Sequence, residues 1–449
     1  MACYLLTICK IFGMHTLFSR ISKLSWLLVL GFVAACDNPG DKALEAPRSS
    51  VSFLHYFTDS LSGGVDEMAR TFDSRSHLYA LKAVSLDHEA FKTSIQDTLK
   101  AGNPPDLYSY WAGARTASLV EHLAPIDDVW QQAQLDERFS PALIDAAVEY
   151  QGHKYFLPLT QHFIGFFYNK RLFAAHGLQA PANWDEFLVV CETLKAAGVT
   201  PIALGARDKW PAQFWFDYLL LRTAPHEFRQ ALMAGQASFD DPRVRAVFVR
   251  WKNLIDKGYF NREPHPNNLA WDSGANEMLF RGEAAMTLMG TWSIGYFTNP
   301  AHGWVAGKDF DFFPFPVIDP TLPKVAMGPI DGLILPKRAA NPAGARQVMI
   351  YLAGVEAQRA FSQGSGALAP NRLVPEAAYS DIQRRVRNEI QDSPIFTFAF
   401  DLAAPPAVAE AGLNAFADFL AFPDEYPQIV RELSNETRQR FAGRGKDLP

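Results

Sequence analysis

The sequence predicts an α/β fold with largely parallel sheet, in a body divided into more than one domain. Three observations carry this. Residues 51–111 alternate strand and helix patterns as β-α-β-α-β, an order that implies a parallel sheet with right-handed crossovers. The alternation resumes from Phe163 to Leu204. Residues 284–289, A-A-M-T-L-M, are too short and too apolar for a surface helix and read as a buried strand. At 449 residues and 48% hydrophobic content, the chain is large enough for two or three domains with proper cores.

The chain opens on a leader. Arg20 and Lys23 precede an apolar run, 24–35, which is too short to span a bilayer. It ends in Val33-Ala34-Ala35-Cys36, small residues before a cysteine. This is the layout of a secretory signal, and the last four residues resemble the lipobox of bacterial lipoproteins. Residues 1–36 are therefore expected to be a signal peptide ending in the lipobox cysteine, with lipid attached at Cys36. The first thirteen residues lack the usual charged region, so Met14 is an alternative start. Asp37 resembles the signal that retains such proteins at the inner membrane. Residues 37–50, with Pro39, Gly40 and Pro47, read as a tether.

Of the four cysteines, three fall in the leader and only Cys191 lies in the body, so no internal disulfide is expected. Cys191 sits among apolar helix positions and reads as a small buried hydrophobe. No C-x-x-C or His/Cys cluster suggests a metal. A net charge of −6 and the lack of a basic stripe argue against nucleic acid.

The elements follow in order. Residues 51–57, V-S-F-L-H-Y-F, alternate as a first strand. A helix at 65–72, a strand at 79–84 and a helix at 91–99 come next. Asn103-Pro104-Pro105 separates these from a third strand, 106–111. Residues 150–155 look like a hairpin, and 163–168 form a wholly apolar strand. Helices are expected at 170–176 and 184–197, the second capped by Asn183 or a neighbour, followed by a strand at 201–204. An aromatic helix covers 210–221, and 244–257 keeps Val244, Val247, Phe248, Trp251, Leu254 and Ile255 at helical spacing. Gly282 closes a further helix, 275–280, before the buried strand at 284–289. Gly290-Thr291-Trp292 then lies at that strand's C-terminal end, where open α/β sheets place ligands. A proline-rich segment (310–323), a strand (332–335), a helix (342–352) and a mainly helical tail complete the chain.

With these pieces in order, the chain resembles the extracellular solute-binding proteins of ABC importers, in the carbohydrate-binding (family 1) branch. The resemblance covers nearly all of the mature chain. It rests on Phe167-Tyr168-Asn169-Lys170, on Pro181-Ala182-Asn183-Trp184-Asp185-Glu186-Phe187, on Phe280-Arg281-Gly282-Glu283-Ala284-Ala285-Met286 with Gly290-Thr291-Trp292, and on 328–336 before Lys337. Asn183 departs from the family's usual threonine but should still cap its helix.

The resemblance implies a two-lobed periplasmic-binding-protein fold, with a central sheet in each lobe and a hinge between them. On that pattern, 50–158 and 297–353 form lobe 1, while 159–296 and 354–449 form lobe 2. Crossings are expected near 158–161, 292–297 and 352–355. It also implies a monomer that captures a sugar or oligosaccharide in the periplasm, anchored to the inner membrane, and delivers it to ABC permease subunits. Two alternatives stand beside this: a sugar sensor passing occupancy to a membrane receptor, and binding of a non-sugar solute such as glycerol phosphate.

A sugar offers hydroxyls at its rim and C–H faces above and below the ring. A site for one needs planar aromatics for the faces and amides, carboxylates or Arg for the hydroxyls. Strand ends carry such groups here: Tyr56 and Phe57 after the first strand, Trp111 after the third, Gln161 and His162 at the first crossing, and Trp292 and Asp331 later. Lys209-Trp210 and Trp271-Asp272 are loop pairs of similar composition. The expected ligand contacts are therefore Tyr56, Phe57, Trp111, Gln161, His162, Trp210, Trp271, Asp272, Trp292 and Asp331. Each has a structural alternative as a core aromatic, a turn cap or a hinge group. His55, Trp184, Trp215 and Trp251 read as structural. Gly364-Ser365-Gly366-Ala367-Leu368-Ala369 matches a dinucleotide pattern only in letters, because it follows a helix. Neither G-x-S-x-G nor H-E-x-x-H occurs. No enzyme, cofactor or metal is expected.

Overall fold

A computed structural model describes residues 47–58 and 61–444. The expected signal peptide, the Cys36 lipid site and most of the tether lie outside the described residues.

The strands, in order, are β1 (Ser49–His55), β2 (Tyr79–Ser85), β3 (Leu107–Trp111), β4 (Glu149–Tyr150), β5 (His153–Lys154), β6 (Leu157–Gln161), β7 (Ile164–Asn169), β8 (Thr200–Ile202), β9 (Ala284–Gly290), β10 (Phe310–Phe313), β11 (Val325–Met327), β12 (Ile330–Ile334) and β13 (Ile395–Thr397). One sheet has the order β2-β1-β3-β12-β6 and the other β10-β7-β9-β8. β1 pairs in parallel with β2 and β3, as the alternation predicts. β12 runs antiparallel to both β3 and β6, so the sheet is mixed. In the second sheet β7 is antiparallel to β9 and β10, and β8 is parallel to β9.

Local chemistry accounts for the elements. All seven residues of β9 are buried, as suits an interior strand with no polar face. The helix Trp184–Ala196 starts where Asn183 Oδ1 accepts from the Glu186 N–H at 3.0 Å. Gly282, at φ 76°, supplies the left-handed turn that closes the helix Glu277–Arg281. Cys191 is buried, and burial pushes its thiol well up.

Each sheet carries its own core. The first gathers Phe53, Phe91, Leu107, Trp130 and Leu333 among others. The second gathers Phe166, Trp215, Trp251, Met286 and Phe416.

This partition corrects the lobe limits drawn from sequence. β10 lies inside the proline-rich segment and pairs with β7, so 310–313 belong with the second sheet, not with lobe 1. Trp292–Thr298 is a helix whose Ile294 and Phe297 pack in the second core, so no crossing falls at 292–297. The chain crosses instead between β11, whose residues lie in the second core, and β12 in the first sheet. The helix Val355–Ser365 places Ala357 and Phe361 in the first core, and the third crossing moves from 352–355 to the neighbourhood of Leu368. Earlier in the chain, β6 of the first sheet leads into β7 of the second. A minor parallel pair, β11 with β13, also went unforeseen.

Candidate functional site

A cavity of about 370 Å³ opens between the two sheets. Its walls come from the C-terminal ends of strands: Tyr56 follows β1, Trp111 ends β3, and Trp292 follows β9. Side chains there escape the sheet's own packing and point into the crevice. The cross-strand register places Asp331 directly opposite Trp111.

Eight of the ten expected residues line this one cavity: Tyr56, Trp111, His162, Trp210, Trp271, Asp272, Trp292 and Asp331. Two do not. Phe57 is fully buried and meets Phe361 edge-on at 5.1 Å, so it belongs to the first core. Gln161 ends β6, exchanges backbone hydrogen bonds with Leu368 and faces a separate groove. Strand alternation sends neighbouring residues to opposite faces, so only one of the pair Gln161-His162 reaches the cavity.

One side of the cavity is a hydrogen-bonded relay. Tyr56 stacks on Trp111, with centroids 4.1 Å apart and planes at 15°. The Tyr56 hydroxyl donates to Asp331 Oδ1 at 2.7 Å, and the Thr160 hydroxyl donates to Asp331 Oδ2 at 3.0 Å. His162 Nε2 lies 3.1 Å from the same Oδ2, and its Nδ1 is 2.8 Å from Thr291 Oγ1. Burial, with the Asp331 carboxylate beside it, pushes the Tyr56 phenol well up, so it remains a donor. Asp331 thus accepts from two hydroxyls with His162 beside it, and holds the wall in shape.

The opposite side is aromatic. Trp210, Trp271 and Trp292 meet one another at centroid distances of 5.9 to 6.5 Å, all tilted or edge-on. His162 meets the Trp292 ring edge-on at 5.3 Å, which ties the two sides together. Trp271 and Trp292 keep part of their surface open, whereas Trp111 and Trp210 are buried.

Several lining residues were not foreseen. Arg115 stands 5.4 Å over the Trp111 ring and pairs with Asp401 at 2.9 Å. Lys92 pairs with Glu89 at 2.8 Å, and burial lowers the lysine's affinity for its proton. Burial, then the Lys92 charge, holds the His88 ring below its usual range, so His88 is neutral near pH 7. Gln213, Tyr296 and Asn299 also line the cavity. Arg115, four residues past a strand-end tryptophan, carried a usable signal. Asp401, 286 residues further on, carried none.

Comparison with known proteins now becomes informative. Residues 82–359 match the model of the family described as bacterial extracellular solute-binding protein. An uncharacterised ABC transporter extracellular-binding protein of Pyrococcus horikoshii is 30% identical over 92% of this chain and 94% of its own. A probable sugar-binding periplasmic protein of Mesorhizobium japonicum is 25% identical over 84% and 90%. The crystal structure of the bacterial solute receptor AcbH, described as exclusive for β-D-galactopyranose, superposes with a TM-score of 0.82 at 25% identity, covering 88% of this chain and all of that one. The chain belongs to the bacterial extracellular solute-binding proteins, with their two-lobed α/β fold.

Proposed function

We propose that this chain is the substrate-binding protein of an ABC importer and captures a sugar in the cavity between its lobes. The observation that carries this is the pairing of an aromatic wall, Trp210, Trp271 and Trp292, with a polar wall held by Asp331. Such a site matches the two faces of a sugar: C–H surface against indole, hydroxyls against fixed hydrogen-bonding groups. The likeness to a galactopyranose receptor and to a probable sugar-binding protein supports the same class. The charges weigh against a sugar phosphate. Lys92 and Arg115 are each engaged by a carboxylate, and Asp272, Asp331 and Asp401 also line the cavity.

A thermal-shift panel of sugars, polyols and sugar phosphates against residues 37–449 is the test. A ligand bound only by the folded state adds about 2.7 kcal/mol at a hundredfold excess over its Kd. We expect a neutral sugar to raise Tm, with an affinity on the order of 1 μM, about −8 kcal/mol. Trp292→Ala should weaken it by roughly tenfold or more, or about 1.4 kcal/mol, with the fold intact. A shift only with phosphates would move the assignment to an anionic solute.

Delivery to permease subunits, a monomeric state and a lipid anchor on Cys36 complete the reading. The anchor rests on the small residues preceding Cys36. Cys36→Ser should release the protein from the membrane fraction of cells; retention of the variant there would remove the anchor.

A further inference from the structure

One charged pair spans the cavity. Arg115 lies on the short helix Ala114–Ala117 that follows β3, so it moves with the first sheet. Asp401 lies on the helix Phe400–Ala403, whose Phe400 is buried in the second core while its Leu402 packs in the first. The second lobe holds Asp401 firmly: Gln213 Nε2 donates to its Oδ1 at 2.9 Å, and its own N–H donates to Gln213 Oε1 at 2.8 Å. Just upstream, the Phe400 N–H donates to Asp217 at 2.7 Å, and buried Arg229 ties Asp217 to the carbonyl of Phe398. Across the gap, Arg115 Nη2 donates to Asp401 Oδ2 at 2.9 Å, with both side chains largely out of water. Gly113 shows how near the lobes come there, for a Cβ on it would lie 2.4 Å from the Leu402 carbonyl.

The same guanidinium has a second, unspent donor. Arg115 Nε is buried and without a hydrogen-bond partner, on a side chain that lines the cavity and stands over the Trp111 ring. A buried N–H without a partner is costly, and an oxygen placed in the cavity would relieve it.

We propose that Arg115 is a positioning residue that couples solute capture to lobe closure, its Nη2 latching onto Asp401 while its Nε–H receives an oxygen of the solute. Ligand contact fixes the guanidinium over Trp111, and the fixed guanidinium presents its fork to Asp401. Solute and lobe contact therefore favour each other through one rigid group. Two ions left apart in an open cleft are hydrated separately, so the pair forms as the lobes meet. Its charge biases the lobes toward closure with or without solute. This inference rests on the sugar reading for the ligand's oxygen, but not for the latch.

The experiment uses residues 37–449, with D-galactose as probe and the panel's best sugar if galactose does not bind. Arg115→Lys keeps a cation for Asp401 but loses the Nε–H. Asp401→Asn keeps the Nε–H but loses the latch, and Arg115→Ala loses both. Small-angle scattering without sugar should show a larger radius of gyration for Asp401→Asn and Arg115→Ala, and a wild-type value for Arg115→Lys. Calorimetry should show at least tenfold weaker binding for both Arg115 variants, and about threefold to tenfold for Asp401→Asn. Melting curves identify any variant that fails to fold, and Asp401 then carries the test alone. Unchanged radii in Asp401→Asn and Arg115→Ala overturn the latch; unchanged affinity in Arg115→Lys overturns the donor role. If the wild type binds no sugar, the sugar reading falls while the scattering still decides the latch.

Discussion

Gly290 ends β9 as a glycine because the Trp292 indole occupies the space a side chain would need. A Cβ there would lie 2.1 to 2.4 Å from three carbons of that ring. Only a close approach is involved, since this glycine has no positive φ. Gly290→Ala must therefore push the indole out of the aromatic wall. We expect solute affinity to fall by roughly tenfold or more, as for Trp292→Ala, with secondary structure by circular dichroism retained. Wild-type affinity would show that the ring's seat is not needed. Trp292 and its glycine were legible together from sequence, because Gly-Thr-Trp at the end of an apolar strand is a local signal. Phe57 shows the limit at this scale. It neighbours Tyr56 and is aromatic like it, yet its ring is turned into the core against Phe361.

At the scale of elements, the helix Trp184–Ala196 is held at its start by a reciprocal arrangement. Asn183 accepts from the Glu186 N–H, while the Glu186 carboxylate accepts from the Ala182 N–H at 2.8 Å and from Asn183 Nδ2 at 2.8 Å. Asn183→Ala removes a side-chain acceptor from the first turn and should cost about 0.5–2 kcal/mol in urea unfolding. Asn183→Thr should cost less, because threonine also caps. Equal stability of all three proteins would mean that water serves the end of this helix as well. Helices and strands were largely read correctly because hydrophobic period, caps and glycine stops are local properties. β10 escaped because its four residues, F-D-F-F, sit among prolines and become a strand only by pairing with β7. The helix Trp292–Thr298 was hidden by the tryptophan's functional reading.

For the whole molecule, two buried or paired groups make the acid limb of stability predictable. Burial against Phe53 and Phe57 lowers the His55 ring from 6.5 to about 4, with Asp66 opposing only in part. The folded state then binds fewer protons than the unfolded chain between those values. Stability is fully present above pH 6.5 and lost as the pH falls toward 4, by up to about 3 kcal/mol from this residue. Glu89 continues the trend below that range. Burial works against its charge, but His88 and Lys92 hold its carboxyl down to about 2, so its contribution is lost as the pH falls below 4.5. Melting curves from pH 7 to 4 should show Tm falling, and His55→Leu should flatten the slope between 6.5 and 4. An unchanged slope in the variant would place the transition in other groups.

What the sequence by itself determined was local. It specified the alternating α/β pattern, the buried β9, the caps, and the strand-end and loop residues, aromatic and polar, of which eight of the ten singled out line one cavity. These are written in periods of two and 3.6 residues and in the chemistry of single turns. Tertiary structure alone decided which sheet receives β10, where the second and third crossings fall, that Asp331 stands across from Trp111, and that Arg115 meets Asp401. Those outcomes depend on strand register and on groups hundreds of residues apart, which no periodicity encodes. They are set by the joint burial of both cores.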